Sequence, residues 1–417
     1  MLDKAKPFSI SKAIVWKAYQ RFKANGGAAG VDRQSIEEFE KDLTGNLYKL
    51  WNRMASGSYF PPPVRRVVIP KSGGDTRPLG IPTVTDRIAQ MVAKLVLEPG
   101  VEPCFHPDSY GYRPERSAID VVGVARQRCW KYDWVVDMDI RAFFDSMDHD
   151  LLMRAVRKHT SCRWVLLYIE RWLKAPVQLQ DGTVQPRDRG TPQGGVISPL
   201  LANLFLHYAF DLWMKRTHPD KPFERYADDV IVHCRSLDAS RSLMREIDQR
   251  LSECGLTLHP GETKVIYCKD RSRKADYPVI SFDFLGYRFQ PHCAQRRDGS
   301  LFLNFLLPAV SPKAARTMRG SIRSWKIHRW TQLTIKELAN SFNPVLRGWI
   351  NYYGKFYKSK LVPILDQLNY SLVRWARRKY KRLGSASQAA TWLKRVVAQL
   401  PRLFPHWTIT HTGMAGR

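Results

Sequence analysis

The chain has 417 residues, and its 67 Lys and Arg against 38 Asp and Glu give a formal net charge of +29 at pH 7. Hydrophobic residues make up 44% of it, which predicts two or three folded domains and excludes global disorder. We find no apolar run of membrane-spanning length and no N-terminal signal pattern, so we expect no membrane association of that kind. The excess positive charge favours a polyanionic partner, nucleic acid before an anionic membrane surface.

The seven cysteines are odd in number and widely spaced along the chain. They form no CxxC pair and no Cys/His cluster with the spacing of a zinc site. This pattern predicts free thiols in a reducing compartment. We therefore expect a cytoplasmic protein.

Strand signals follow an N-terminal helical region. Residues 61–82, "PPPVRRVVIPKSGGDTRPLGIP", predict two strands joined by a Gly-containing turn. Residues 134–140, "WVVDMDI", alternate in polarity and predict another strand. Asp148 is a candidate N-cap for a helix that begins "HDLLMRAVRKH". This part of the chain therefore mixes helices with strands.

The same alternation continues to about residue 290. "SPLLANLFLHYAFDLWMK" predicts an apolar helix, "VIVHC" a strand, "LMREIDQRLSECG" a helix that stops at glycine, and "FDFLGYRF" one more strand. Such alternation is typical of an α+β or α/β fold. The remainder is helical in pattern, and from residue 311 onward it contains 21 Lys and Arg but only two acids, Glu337 and Asp366. A segment so one-sided in charge predicts a binding domain.

Two adjacent carboxylates, Asp228 and Asp229, lie in "FERYADDVIVH" (223–233). Two short strands with a tight connection would place this pair at or beside a hairpin turn. On its own such a pair is more often a solvated turn, because Asp side chains bond to turn backbone. Here the flanks are apolar and β-branched, a second acid-bearing strand lies upstream, and neighbouring like charges disfavour each other unless a cation faces them. The pattern therefore favours a metal site.

Two-metal phosphoryl transfer needs carboxylates of this kind. Side chains from different strands converge on two Mg²⁺ ions that bind the attacking and leaving oxygens. Mg²⁺ prefers one or two carboxylates plus substrate phosphate oxygens to a cage made of protein alone. The chemistry thus suits a basic chain that works on phosphates.

The order of the motifs resembles that of bacterial group II intron-encoded reverse transcriptases with maturase activity. The series is "DIRAFFD", "TPQGGVISPLLANLFL", "YADD", "LHPGETK" and "FLGYRF", followed by the maturase-like "LRGWINYYGKFYKS". Each motif is moderately specific, whereas the ordered series is highly specific. It spans most of the chain, from about Tyr59 to the late "LFPHW".

The resemblance implies an α+β fold of the right-hand polymerase type, with fingers, a palm built on an antiparallel sheet, and a helical thumb. The domains it implies are an N-terminal extension and fingers at 1–112, the palm with remaining fingers at 113–293, the thumb/maturase domain at 294–383, and a short basic tail at 384–417. No Cys/His endonuclease pattern follows the maturase segment, so we expect no endonuclease domain.

The resemblance also implies catalytic roles. Asp139, Asp228 and Asp229 match the metal-binding carboxylates, and Ile140 would add a backbone carbonyl ligand. Two Mg²⁺ ions would bind there, with Mn²⁺ as a substitute, and dNTPs are the expected substrates. Lys264 matches a lysine that protonates the leaving pyrophosphate.

Nucleotide recognition is implied at two further places. Phe144, five residues after Asp139, matches a bulky residue that clashes with a 2′-hydroxyl and so selects deoxynucleotides. The alternative is an ordinary core phenylalanine, which is the role we predict for Phe143. Gln193 and Gly194 match the nucleotide-contacting loop, where glycine permits close backbone approach.

Cations on the first strand pair complete the predicted nucleotide site. Lys71 and Arg77 match a triphosphate-binding pair, because Arg can donate to two phosphate oxygens at once. The alternative is a solvated basic hairpin. Arg113 and Arg116 would contact template or triphosphate.

Two basic helix faces are predicted near the C-terminal end. A basic stripe is often only a solvated face, but these two are almost free of acids and are interleaved with aromatic residues. We therefore expect them to bind nucleic acid. Their members are Lys313, Arg316, Arg319, Arg323 and Lys326 in the first, and Arg374, Arg377, Arg378, Lys381 and Arg382 in the second.

The predicted function is therefore an RNA-directed DNA polymerase that binds its structured intron RNA, assists splicing and supports intron mobility. Its partners would be that RNA, an RNA template/DNA primer duplex and target DNA, with no membrane. Two alternatives stay open at this point. One is a splicing-only RNA-binding maturase, and the other is a free-standing reverse transcriptase recruited to defence or DNA repair.

Overall fold

The computed structural model describes residues 6–70, 76–295, 301–305 and 307–410. The chain divides into two compact units. The first comprises Met1–Val121 and Val136–Val265, and the second comprises Val122–Val135 and Ile266–Arg417. Helices and sheets occur together, so the mixed α and β class predicted from the sequence is confirmed.

Helices dominate the chain up to residue 253. They are α1 (Lys12–Asn25), α2 (Ile36–Glu40), α3 (Leu43–Ser56), α4 (Val84–Val101), α5 (Ala118–Lys131), α6 (Phe143–Ser146), α7 (His149–Arg157), α8 (Arg163–Lys174), α9 (Ser198–Leu206), α10 (Leu212–Thr217) and α11 (Leu237–Glu253). A π turn, His207–Asp211, joins α9 to α10 without interrupting the predicted apolar helix. Such turns inside helices are rare and occur often at functional sites.

Two four-stranded sheets accompany these helices. Their strands are β1 (Val64–Pro70), β2 (Thr76–Ile81), β3 (Trp134–Met138), β4 (Val177–Gln178), β5 (Val184–Gln185), β6 (Phe223–Tyr226), β7 (Asp229–Cys234) and β8 (Lys264–Tyr267). One sheet has the order β2-β1-β4-β5 and the other β6-β7-β3-β8. β1 pairs antiparallel with β2, which confirms the predicted strand pair; the connection at 71–75 lies outside the described residues.

Side-chain caps start several helices, and the one at Asp148 was predicted from the sequence. Asp148 caps α7, since its side chain accepts a hydrogen bond from the Leu151 N–H at 2.8 Å. Ser35 caps α2 in a reciprocal capping box with Glu38. The stretch "FDFLGYRF", expected to be one strand, is instead a hairpin whose turn is Leu285 and Gly286. Alternating aromatic residues predict one continuous strand. A turn whose first residue is leucine gives no turn signal at that position in the sequence.

The second unit continues with short strands and then helices. The strands are β9 (Phe282–Phe284), β10 (Tyr287–Phe289), β11 (His292–Gln295), β12 (Leu301–Asn304) and β13 (Ala309–Val310), and the helices are α12 (Pro312–Ser324), α13 (Ile335–Tyr353), α14 (Val362–Lys379), α15 (Ala386–Gln399) and α16 (Trp407–Thr410). β10 lies between β9 and β13, and β11 pairs with β12.

One hydrophobic core holds α12 to α16 together. Trp375 of α14 and Trp407 of α16 are among its fully buried side chains. Leu393 of α15 belongs to the same core. The residues after 383, predicted to be a short basic tail, thus form helices that pack on the preceding domain as far as Thr410. The tail was predicted from the basic charge of this segment, whereas the packing of the segment depends on the apolar face of α15.

The described part of the chain contains no helix long and apolar enough to cross a membrane. No disulfide bond joins any of the seven cysteines, all of which lie among the described residues.

Candidate active site

The adjacent carboxylates lie at the turn of the β6–β7 hairpin. Tyr226 pairs with Asp229 across the hairpin, so Ala227 and Asp228 form a two-residue connection. Ala227 adopts φ 58°, a left-handed conformation that costs energy for a residue with a Cβ atom. Asp228 is half-buried, whereas Asp229 is exposed. The structure therefore confirms the predicted placement at a hairpin turn and adds that the turn is held in a sparsely populated conformation.

A buried polar network supports this turn. The guanidinium of Arg225, which is 0% exposed, donates to both carboxylate oxygens of Asp211 at 2.7 and 2.6 Å. It also donates to the Asn203 side-chain oxygen at 2.9 Å and to the Ala227 carbonyl at 3.1 Å. Asn203 in turn donates to the Gly111 carbonyl at 2.6 Å. The network fixes the turn backbone directly before Asp228.

Gly111 completes this support by its lack of a side chain. A Cβ atom added at Gly111 would lie 2.3 Å from the Ala227 nitrogen, far inside van der Waals contact. The backbone of the turn can approach the 109–111 segment only because residue 111 is glycine.

Sequence reasoning missed this network. The available signal was the presence of two polar residues, Asn203 and Asp211, on the strongly apolar helix that runs from α9 into α10. Polar side chains on such a face are costly to bury unless they are hydrogen-bonded, so they predict a partner. The sequence does not say that the partner is Arg225.

Asp139 follows the last residue of β3, the strand next to β7. Its carbonyl accepts from the His259 N–H at 2.8 Å, and the Arg141 N–H donates to the Thr257 carbonyl at 2.9 Å. Between these bonds Ile140 and Leu258 form an antiparallel bridge. The hydrogen bonds of this bridge come from the backbone groups of Asp139 and Arg141. The Ile140 carbonyl, the predicted metal ligand, takes no part in them.

The donor set suits a divalent cation that also binds substrate. Carboxylates and a backbone carbonyl are the oxygen ligands that Mg²⁺ prefers. Among the residues that the structure describes, no three Asp, Glu, His or Cys side chains converge closely enough to hold an ion by themselves. A Mg²⁺ ion held by one or two carboxylates takes its remaining ligands from phosphate oxygens and water. The residues present therefore fit an ion that is shared with a nucleotide.

Phe144 and Phe143 are both buried in α6, with rings 5.4 Å apart in an edge-to-face arrangement. The Phe144 carbonyl accepts from the Thr191 N–H at 2.7 Å. This bond ties α6 to the loop that contains Gln193. The structure thus brings together two of the predicted nucleotide-contacting positions.

The loop at 191–197 also lies against β2. The Gly80 N–H donates to the Gln193 carbonyl at 3.0 Å. Gly194 has φ 134°, and a Cβ atom there would lie 2.3 Å from the Gly80 carbonyl oxygen, so glycine is required at that position. Arg77 belongs to β2 and pairs with Ile69 of β1. Lys71 lies outside the described residues.

Arg113 is a structural residue, which corrects the prediction that it contacts template or triphosphate. Its side chain is 6% exposed and forms an ion pair with Glu102 at 2.8 Å. It also donates to the His106 and Ser109 carbonyls at 2.7 and 2.6 Å. These bonds engage the guanidinium on several sides.

Arg116, the other predicted arginine of this segment, is exposed. Its guanidinium lies 5.5 Å from the centre of the Tyr110 ring.

Lys264, the first residue of β8, is exposed. The preceding residue, Thr263, accepts a hydrogen bond from the Asp139 N–H at 3.5 Å. The start of β8 therefore lies beside the end of β3, and Lys264 is placed one residue from a direct contact of Asp139.

A basic cavity of about 390 Å³ adjoins these residues in the first unit. Gln193 and Gly80 line it together with Arg66, Arg187 and Asp145. Burial lowers the pKa of the Arg187 guanidinium, and the nearby Asp145 carboxylate opposes this effect. The cavity therefore places cations around a loop that was predicted to contact a nucleotide.

The predicted basic helix faces lie in the second unit and are shorter than expected. α12 ends at Ser324, so Lys326 lies beyond it with φ 47°. α14 ends at Lys379, so Lys381 and Arg382 lie in the turn that follows it. The remaining cations are on the helices and are exposed or half-buried: Lys313, Arg316, Arg319 and Arg323 on α12, and Arg374, Arg377 and Arg378 on α14.

Two family models match the chain. Residues 69–289 match the model described as reverse transcriptase (RNA-dependent DNA polymerase). Residues 315–395 match the model described as group II intron, maturase-specific domain. The second match extends into α15, in agreement with the packing of that helix on the shared core.

Curated relatives match over different shares of their length. Protein YkfC of Escherichia coli is 33% identical over 297 residues, which cover 62% of this chain and 75% of YkfC. Group II intron-encoded protein LtrA of Lactococcus lactis subsp. cremoris is 33% identical over 224 residues, 52% of this chain and 37% of LtrA. An uncharacterized 91 kDa protein in the cob intron of Schizosaccharomyces pombe is 24% identical over 409 residues, 84% of this chain and 50% of that protein. The chain thus spans three quarters of the first relative and half or less of the other two.

Proposed function

We propose a specific activity for this chain on the premise that it belongs to the family of group II intron-encoded reverse transcriptases and maturases. Its two domains are those of an RNA-directed DNA polymerase and an intron maturase. The family and the enzyme class that the motif order predicted are thereby confirmed. The roles of individual residues, the ions and the nucleic-acid partners form the proposal.

The reaction is attack of a primer 3′-hydroxyl on the α-phosphate of a dNTP, with pyrophosphate as the leaving group. Asp139, Asp228 and Asp229 would hold two Mg²⁺ ions, and the Ile140 carbonyl would add a further ligand. When bound, such ions stabilise the negative charge that develops on the transferring phosphoryl group. The strained turn at Ala227 orients Asp228 before substrate arrives, so little reorganisation is needed during the reaction.

Other residues bind and select the nucleotide. Phe144 blocks a 2′-hydroxyl, while Gln193 and Gly194 contact the incoming nucleotide from the loop beside β2. Lys71, Arg77 and Arg116 bind the triphosphate, and Lys264 protonates the leaving pyrophosphate. The support for this part is the set of backbone bonds that ties α6, the 191–197 loop and β2 together.

The domains correspond to a right-hand polymerase. Fingers lie in the N-terminal part, the palm contains the β6-β7-β3-β8 sheet, and the helical second unit supplies the thumb and maturase surface. The basic residues of α12 and α14 bind structured intron RNA and the template/primer duplex. Target DNA binds during intron mobility.

The observation that carries the proposal is the β6–β7 hairpin, whose turn presents Asp228 from a fully buried support. Asp228→Asn should abolish primer extension on an RNA template with dNTPs and Mg²⁺, because a neutral amide is a poor metal ligand. RNA affinity, measured by filter binding, should stay close to that of the unmodified protein. Asp220→Asn is the matched control, since Asp220 is 75% exposed in another turn and pairs with its neighbour Lys221. Full extension by the Asp228 variant would contradict the catalytic assignment.

A further inference from the structure

We propose that Asp86 and Gln90 of α4 are positioning residues for the nucleotide-contacting loop, with Asp86 setting the orientation of the Gln90 amide and Gln90 holding the loop backbone. This inference rests on the proposed role of Gln193 and Gly194 in nucleotide binding. It assigns no contact between Asp86 or Gln90 and the substrate. Both side chains act through the loop.

Asp86 is buried and receives three hydrogen bonds. Its Oδ1 atom accepts from the Tyr59 hydroxyl at 2.8 Å and from the Trp172 indole N–H at 2.7 Å. Its Oδ2 atom accepts from the Gln90 amide group at 2.9 Å. Asp86 is 1% exposed, so protein groups provide the solvation of the carboxylate.

Gln90 passes this orientation to the loop. Because its NH₂ group points to Asp86, its Oε1 atom faces the loop and accepts from the Val196 N–H at 2.7 Å and from the Ile197 N–H at 3.4 Å. These two N–H groups directly precede α9, where the first helical residues have no intrahelical acceptor. Gln90 therefore satisfies the donors that end the loop.

The other end of the loop is fixed from β2. The Gln193 carbonyl accepts from the Gly80 N–H, and Gly194 lies against the Gly80 carbonyl. Gln193 and Gly194 are thus held between an anchor on β2 and an anchor on α4. If one anchor were lost, Val196 would move. Gly194, which is proposed to contact the nucleotide, lies only two residues away and would move with it.

A carboxylate at position 86 is needed to fix the direction of these hydrogen bonds. Because it only accepts, the Gln90 amide must turn its NH₂ group toward Asp86 and its oxygen toward the loop. Trp172 is a donor only, so an asparagine side chain in place of Asp86 would have to turn its oxygen to Trp172 and its NH₂ group to Gln90. Gln90 would then have to rotate, and its own NH₂ group would face the Val196 N–H. Two donors would meet, and the loop would lose its acceptor.

Burying the charged carboxylate of Asp86 costs free energy, which supports a functional reason for an aspartate at this position. Burial raises the pKa of Asp86 to about 6, even though the three hydrogen bonds and the nearby Arg87 act in the opposite direction. A neutral side chain would avoid that cost. It could not accept three hydrogen bonds from donors.

The test compares Asp86→Asn with the double variant Asp86→Asn/Gln90→Glu. The single variant should raise the KM for dNTP by roughly tenfold, the effect of about one lost hydrogen bond, with a smaller change in kcat. The double variant should restore KM, because one oxygen of the carboxylate introduced at position 90 accepts from the amide NH₂ group introduced at position 86, and the other oxygen accepts from Val196. The net charge of the double variant is the same as that of the unmodified chain.

Two further measurements separate positioning from general destabilisation. Tyr59→Phe removes a hydrogen bond from the other oxygen of Asp86 and should lower the thermal midpoint without changing KM. Hydrogen exchange at Val196 and Ile197 should accelerate in Asp86→Asn and return to its original rate in the double variant. An unchanged exchange rate, or a KM that the double variant does not restore, would overturn the inference. An inactive unmodified protein with the expected exchange pattern would contradict the proposed function instead.

Discussion

Arg225 and Asp211 form a two-point ion pair in which both side chains are 0% exposed. The pair joins the π turn after α9 to β6, the strand that precedes the turn at Ala227 and Asp228. Removing one partner of such a pair leaves a buried charge, which typically costs about 3–5 kcal/mol. The arrangement therefore combines folding stability with the placement of Asp228.

Arg225→Lys should keep the charge but lose the two-point geometry and the bond to the Ala227 carbonyl. We expect reduced primer extension and a higher Mg²⁺ concentration for half-maximal rate, because the turn that presents Asp228 is no longer fixed. Arg273→Lys is the matched control, since Arg273 is also buried and paired, with Asp270 in the second unit. That control should lose stability in urea without a change in Mg²⁺ dependence. Equal Mg²⁺ dependence of both variants would show that Arg225 is only a stability residue.

Phe144→Val should allow ribonucleotide incorporation while reducing, but not abolishing, deoxynucleotide use. The reason is the loss of bulk beside the predicted sugar position. Because Phe144 is buried, the free energy of unfolding should also fall by up to about 3 kcal/mol. Single-nucleotide extension with competing dNTP and rNTP measures the discrimination. Phe143→Val is the control, because it creates a comparable cavity at the neighbouring position. If the Phe143 variant lost discrimination against ribonucleotides and the Phe144 variant did not, the assignment would be reversed.

Asp86 should make stability depend on pH near 6. Its folded-state pKa of about 6 lies above the ordinary value of 3.8, so the folded chain binds a proton more tightly than the unfolded chain. The resulting stabilisation is present at low pH and is lost as pH rises through 6, with a change of about 1 kcal/mol between pH 5 and pH 7. Urea unfolding of the unmodified chain and of Asp86→Asn at both pH values isolates this contribution.

The difference between those two proteins is the relevant quantity, because His207 acts in the opposite direction. Burial lowers the pKa of His207 to about 4, so its contribution to stability falls as pH drops below 6.5. That contribution is common to both proteins and cancels. Identical pH dependence of the two proteins would contradict the Asp86 assignment.

The cations of α14 should contribute to RNA affinity through phosphate contacts. Changing Arg374, Arg377 and Arg378 to Gln should reduce the slope of log affinity against log salt by up to about 0.9 for each lost duplex contact. Extension of an unstructured template should suffer less than binding of structured RNA.

A matched control for α14 exists in the first unit. Arg241 and Arg245 on α11 and Arg216 on α10 are also exposed, and their replacement by Gln removes the same charge. The control should leave the salt slope nearly unchanged. The same slope for both triple variants would mean that the α14 cations form a solvated face.

The sequence by itself determined the local features of this protein. Alternation predicted β3, Asp148 predicted the start of α7, and the flanks of Asp228 and Asp229 predicted a hairpin, because each signal acts within a few residues. The ordered motifs were enough to indicate the polymerase family. Secondary structure, capping and motif order are all properties of short stretches of chain.

Only the tertiary structure decided which distant residues support the site. Arg225 bonds to Asn203, Asn203 to Gly111, and Gln90 to Val196. These are pairings between segments far apart in sequence, and nothing in the local pattern of either segment specifies the other. The same holds for Arg113, which its neighbours in sequence predicted to be a ligand residue and which folding instead buried against Glu102. A buried polar side chain can be recognised as needing a partner from sequence, but the fold alone decides which partner reaches it, because the contact depends on packing across the whole unit.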